Sequence, residues 1–308
     1  REHDEPVTVL LRKDGARTAF MFPAGADVMT VDFNALRKDR GYRRKIGNEL
    51  YEKNFRLVVS LDYLRHPDLD EYLIFAAKGA ETAAMIAKPW RKYQAKLNKN
   101  RQLYDRLFDS GGNLVDKILR WTAFSNWLNG TDEKPPVAAC DPDTLPAPAE
   151  TDTPFVMVQA FSAVKGKQCS PALIDRALAQ LPDDWEVVFT GAPGEDKANP
   201  EFADTLARPG VTYDASTFEE LVPKLRAAEM AISVDTAFMH LAIAVGTPTL
   251  GLASAAYVGE IVPYAPESTP PNAHFVYHDM PCRSCLGDCR LPPEDGRFPC
   301  IARLEAER

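Results

Sequence analysis

The sequence predicts an α/β protein of two doubly wound domains, each a parallel sheet with helices on both faces, joined by a proline-rich linker. Three observations predict it. Short apolar runs recur through the second half at 155–160, 185–191, 230–234, 249–253 and 274–278, with a weaker one at 211–215. Helical patterns near 171–181, 217–228 and 236–245 separate them, and strands apolar on both faces that alternate with helices form parallel sheets covered on two sides. The first half repeats this theme less completely, and residues 132–154 interrupt it with six prolines and little periodicity.

Taken in order, the runs at 7–11, 27–32 and 56–62 read as strands, with 83–88 as a fourth. A long charged helix fits 34–54, and 113–128 shows helical periodicity around Leu114, Ile118, Leu119 and Trp121. The expected divisions are an N-terminal domain over 1–131, a linker over 132–154, a C-terminal domain over 155–280 and a cysteine-rich knot and tail over 281–308. A chain of 308 residues fits two domains of this size.

A net charge of −8 argues against a general nucleic-acid binder. No run of about 18 apolar residues is present to span a bilayer, and no signal-peptide pattern opens the chain, although the first residue is Arg1 rather than Met. The expected location is the cytoplasm, with peripheral contact at the inner membrane as a further reading.

Chemistry concentrates at "AISVDTAFMHLAIAVGTPTLGL", residues 231–252. The apolar run breaks at Asp235-Thr236 and resumes as a helix carrying His240. In an open parallel sheet, ligands sit beyond the carboxyl ends of the strands, and a helix starting there presents free N–H groups and its positive end to a phosphate. Thr236 is the expected N-cap, and Gly246-Thr247-Pro248 ends the helix. Against this stands a plain reading, in which Asp235 and Thr236 cap a helix and His240 is a core histidine.

"SVDTAFMHLAIAVGTPTLGL" resembles the signature of glycosyltransferase family 9, the ADP-heptose:lipopolysaccharide heptosyltransferases. "VMVQAFSAVKGKQCSPALIDRALAQL", "VVFTGAPGE", "TFEELVPKLRAAEMAISVD" and, upstream, "ADVMTVDFNALRKD…LYEKNFRLVVSLD" are similar to other family segments in the same order, over roughly residues 7–300. The resemblance implies a GT-B architecture, with the donor on the C-terminal domain and the acceptor on the N-terminal one. It implies donor contacts from Asp235, Thr236, Met239 and His240, and a diphosphate-neutralising lysine at Lys167, with Lys165 as the neighbour able to replace it. Departure of ADP leaves negative charge that a cation stabilises.

The sequence departs from the family in three places. The usual Gly-Pro of the signature is Ala237-Phe238, which would narrow the site. The Phe-Gly-x-Thr loop is Ala253-Ser254-Ala255-Ala256. The family's opening strand and its Gly-Asp loop, source of the general base, have no counterpart before Val7, so the N-terminal domain is expected to lack its first strand. Asp14 is the nearest replacement base, beside its ordinary reading as a turn Asp-Gly.

Cys282, Cys285, Cys289 and Cys300 cluster within 19 residues in the spacing C-x2-C-x3-C-x10-C. Four thiolates on short turns suit a structural zinc or, less often, iron, and reduced or disulfide-linked cysteines are the alternative. The displacement chemistry requires no cofactor beyond the ADP-sugar co-substrate. "KPWRKYQAKLNKNR", residues 88–101, concentrates six cations. Lys88, Arg91 and Lys92 are the expected contacts for an anionic saccharide acceptor or a membrane surface, and a solvated charged face is the plainer alternative.

The function expected is transfer of a sugar, a heptose above all, from an ADP-sugar to a saccharide acceptor such as the lipopolysaccharide inner core, with inversion. The rivals are a non-catalytic GT-B protein that binds or scaffolds, and a heptosyltransferase acting on another acceptor such as protein.

Overall fold

The computed structural model describes residues 5–304; the ends of the first and last expected segments lie outside them. The chain divides into two compact units, residues 1–113 with 120–134, and residues 114–119 with 135–308.

The N-terminal unit runs β1 (Val7–Arg12), a 3-10 segment (Lys13–Met21), β2 (Ala26–Val31), α1 (Phe33–Lys38), α2 (Arg40–Glu52), β3 (Leu57–Ser60), α3 (Asp70–Ala77), β4 (Glu81–Met85), α4 (Gln94–Asn100) and β5 (Arg106–Phe108). It closes with α5 (Lys117–Asn129), whose first turn is grouped with the other unit. All pairings are parallel, but the strands form two separate sheets, β1-β2 and β3-β4-β5. The expected helix over 34–54 is two helices. Asp39 breaks it, because its carboxylate accepts from Gly41 N (2.7 Å) and Tyr42 N (3.0 Å) and so starts α2 afresh. Asp32 starts α1 in the same way. Leu36, Ile46, Leu50 and Leu73 supply the apolar faces that pack under β2.

The C-terminal unit holds β6 (Phe155–Gln159), a 3-10 turn (Lys165–Lys167), α6 (Pro171–Leu178), β7 (Glu186–Thr190), α7 (Glu195–Ala198), α8 (Ala203–Leu206), β8 (Val211–Asp214) and α9 (Phe218–Ala227). It continues through β9 (Met230–Val234), α10 (Ala237–Ala244), β10 (Thr249–Leu252), β11 (Ala273–Val276) and α11 (Pro299–Ala302). Its six parallel strands lie in the order β8-β7-β6-β9-β10-β11. The order therefore reverses between β6 and β9, the switch point at which doubly wound sheets open a crevice. Val156, Met157, Val158, Ala231 and Val234 are fully buried, as expected for strands covered on both faces.

The proline-rich segment is not a free linker. Ala138 N donates to Ser268 O, Cys140 N to Ala244 O and Ala149 N to Pro223 O, so it is bound along the C-terminal unit.

Candidate functional site

The switch point brings two loops together. Register pairs Val158 with Ile232 and Gln159 with Ser233, so β6 and β9 end level with one another. The chain leaving β6 turns through Lys165–Lys167, and the chain leaving β9 passes through Asp235 and Thr236 into α10. Lys167 Nζ lies 2.7 Å from Asp235 Oδ2 across this edge, with side-chain exposures of 13% and 7%. Behind it, the Tyr257 ring centre lies 4.8 Å from the same ammonium.

The two candidate lysines have separated. Lys165 donates to Asn199 Oδ1 and pairs with Glu201 at 3.5 Å, away from Asp235. Lys167 is the one in the crevice.

His240 stands one turn into α10. Burial holds its pKa below the usual histidine value; Asp235 opposes this, while Lys117 and Lys167 reinforce it. The ring is thus neutral near pH 7. Burial also pushes the Tyr264 phenol well up, so its hydroxyl keeps its proton and shares a hydrogen bond with His240 Nδ1 at 2.5 Å. The other ring nitrogen, Nε2, faces Asp235 Oδ1 at 4.0 Å. The loop that carries Tyr264 is held in turn by Asp116, whose Oδ2 accepts from Ala265 N at 3.0 Å.

Three buried polar atoms at this edge lack any partner: Gln159 Oε1 at the end of β6, Thr236 Oγ1 at the start of α10, and Ser254 Oγ just past β10. Buried groups of this kind are nearly always bonded, and an orphan costs free energy of the order of a lost hydrogen bond. Three at the carboxyl ends of adjacent central strands form a set of groups ready for a polar ligand. Thr236 occupies the N-cap position, yet its side chain makes no capping bond.

Two expectations are corrected here. Met239 is fully buried and packs with Ile243, Ala253 and Val262, so it belongs to the core and not to the donor crevice. Phe238 is 2% exposed, so the side chain that replaces the family's proline is taken up in the interior and presents little to water. The sequence reading missed Gln159, Tyr257 and Tyr264. Gln159 is a polar residue at the end of an apolar strand, which is a usable signal; the tyrosines lie in loops far along the chain and carry none.

Cys282, Cys285, Cys289 and Cys300 line a single small cavity with Ala255, Met280, Leu291 and Phe298. All six cysteines are free thiols. Among the described residues no group of three or more His, Cys, Asp or Glu stands in a metal-ligating arrangement. The four-thiolate zinc or iron centre expected from the spacing is thus not supported by this arrangement, in which Cys282 is exposed and Cys300 buried.

In the N-terminal unit, Asp14 lies just past the carboxyl end of β1, exposed and paired with Arg12 at 3.2 Å. Lys88, Arg91 and Lys92 lie in the segment past the carboxyl end of β4. There Trp90 and Tyr93 meet edge to face at 4.6 Å, His66 approaches Tyr93 at 4.6 Å, and Lys92 Nζ sits 5.0 Å from the Tyr93 ring. Lys96, from the same cationic run, pairs with Asp68 at 2.8 Å. No helix among the described residues is long and apolar enough to cross a membrane.

Residues 176–286 match the sequence model of glycosyltransferase family 9 (heptosyltransferase). No curated protein matches the chain in sequence. Among solved structures, the chain is similar to the E. coli heptosyltransferase WaaC with ADP, at a TM-score of 0.64 and 18% identity over 85% of this chain and 83% of that one. It is similar also to a family 9 glycosyltransferase from Veillonella parvula (0.62, 15%, 87% and 75%) and to E. coli ADP-heptose LPS heptosyltransferase II (0.58, 14%, 93% and 86%). At these identities the structures speak for the fold, an α/β architecture of the GT-B type.

Proposed function

We propose that this chain, which matches glycosyltransferase family 9 over residues 176–286, is a glycosyltransferase that transfers a heptose from an ADP-sugar to an anionic saccharide acceptor, with inversion at the anomeric carbon. The observation that carries the donor side is the buried Lys167–Asp235 pair at the switch point, ringed by three unpartnered polar atoms.

In this reading the diphosphate lies at the start of α10 and draws on Lys167, the helix N–H groups and Thr236 Oγ1. The acceptor hydroxyl oxygen bonds to the anomeric carbon as the bond to the diphosphate oxygen breaks. The negative charge that develops on ADP falls beside the Lys167 ammonium, where low solvent exposure strengthens the attraction. Asp235 is then relieved of part of its pairing with Lys167 and is free to accept from the sugar hydroxyls, with the neutral His240 ring beside it. The acceptor belongs to the N-terminal unit, at the carboxyl ends of β1 and β4, where Asp14 and the Lys88, Arg91 and Lys92 segment lie. Asp14 is the candidate to take the hydroxyl proton there, and the cations suit an anionic saccharide.

Calorimetric titration of ADP and ADP-heptose, with UDP as control and Asp235→Ala alongside, tests the donor side. Saturable binding of the ADP ligands that is lost in the variant is expected. A folded sample that binds no nucleotide would overturn the transferase reading in favour of a scaffold.

A further inference from the structure

The cysteine-rich segment grips both walls of the Lys167 crevice. On one wall, Phe298 N donates to Gly166 O at 2.9 Å. The Phe298 ring lies so close to Gly166 that a methyl group there would stand 2.9 Å from it. Gly166 is the middle residue of the turn that carries Lys167. On the other wall, Ser284 N and Leu286 N donate to the carbonyls of Ala255 and Ala256, both at 2.8 Å, and Ser284 Oγ donates to Val258 O at 2.8 Å. Between those anchors stands Tyr257, the ring behind the Lys167 ammonium. Ser284 and Leu286 make these bonds with φ of 67° and 56°. That conformation is uncommon for residues with side chains and persists only where the surroundings hold it.

We propose that residues 282–300 are a positioning element of the donor site, acting through Phe298 and Tyr257 to hold Lys167 in one place before the diphosphate arrives. The proposal rests on the donor reading above. A lysine is a flexible point charge whose ordering opposes binding, and a group already held in its bound position avoids that loss. Phe298 fixes the backbone from which Lys167 departs, and Tyr257 supplies the face on which its ammonium rests. The chemistry of the crevice is thus completed by a segment that follows the last strand of the sheet and touches no ligand itself.

The test is calorimetric titration of ADP and AMP into the wild type, Lys167→Ala, Phe298→Ala, Phe298→Leu, Tyr257→Leu and the Lys167→Ala/Phe298→Ala pair, with Asp235→Ala as control and thermal unfolding of every sample. A well-placed cation–ring contact is worth roughly a 3- to 30-fold effect. Phe298→Ala and Tyr257→Leu should each weaken ADP by about tenfold while AMP moves by less than about twofold. Phe298→Leu should recover most of the loss, and Phe298→Ala should add nothing once Lys167 is gone. Equal losses for ADP and AMP, or additive losses in the pair, would overturn the positioning role while the Asp235→Ala result leaves the donor reading standing. Tyr257→Leu, which leaves Phe298 and its bond to Gly166 in place, decides the question if Phe298→Ala fails to fold. A wild type that binds neither nucleotide brings down both readings together.

Discussion

Each domain buries an ion pair, and the two pairs are finished differently. In the N-terminal domain Arg65 and Glu71, at 2% and 1% exposure, meet at 3.4 Å. Asn100 Nδ2 donates to Glu71 Oε2 at 2.6 Å, the Tyr104 hydroxyl to Oε1 at 3.4 Å, and Arg65 Nη1 to Asp62 O at 2.8 Å. In the C-terminal domain Lys167 and Asp235 are nearly as enclosed, yet Thr236, Gln159 and Ser254 around them keep polar atoms without partners. The first network is closed by the chain itself and holds a loop in place. The second is left open at one side, where a ligand can complete it. Burial of charge alone therefore does not mark a site; an unfinished buried network at a sheet's carboxyl edge does.

Glu71→Ala should give the largest stability loss, because it leaves the Arg65 guanidinium enclosed and unpaired, a change that typically costs about 3–5 kcal/mol. Urea unfolding measures it, and ADP affinity of the folded fraction should not move. A variant that kept its stability and lost ADP would erase the distinction. Asp235→Ala should do the reverse: the rise in melting temperature that ADP confers by mass action disappears, with a smaller stability loss because Lys167 retains a path to water.

The pH dependence sharpens the comparison further. His240 is held below its unfolded value by burial, with Asp235, Lys117, Lys167 and Tyr264 facing it. As pH falls below about 6.5 the unfolded chain takes a proton that the folded one refuses, so stability is lost until the folded ring also protonates. His66, lowered in the same direction by burial, contributes a second part. His240→Gln should flatten, but not remove, the slope of urea midpoint against pH between 5 and 7. The smallest effect belongs to the surface: Lys96→Ala breaks an exposed pair with Asp68 and should leave the melting temperature within error.

How much of this was legible in the sequence follows the same contrast. The C-terminal strands were readable to within a residue or two, most clearly β6, β9 and β10, because burial on both faces leaves an uninterrupted apolar run. β5, only Arg106–Phe108, went unread because three residues in a polar context carry no period. The break at Asp39 was missed because its cause is two short side-chain bonds rather than a loss of amphipathic pattern. Asp235 and Lys167 were legible as motif residues, but their 2.7 Å approach depends on the level ends of β6 and β9, which only strand order provides. Met239 was misread because a helix start offers neighbouring positions to opposite sides, and here position 239 faces the core.

The linker adds a mechanical consequence. Cys140 N holds the carbonyl of Ala244, the last residue of α10, while the first turn of that helix faces the crevice. α10 has eight residues, a rod of about 12 Å. A rod fastened at one end passes on whatever tension is applied at the other. Occupancy of the crevice would then be felt as slower amide exchange at Cys140, in a stretch of chain that no nucleotide touches, and the proline-rich strap would serve as the molecule's own strain gauge.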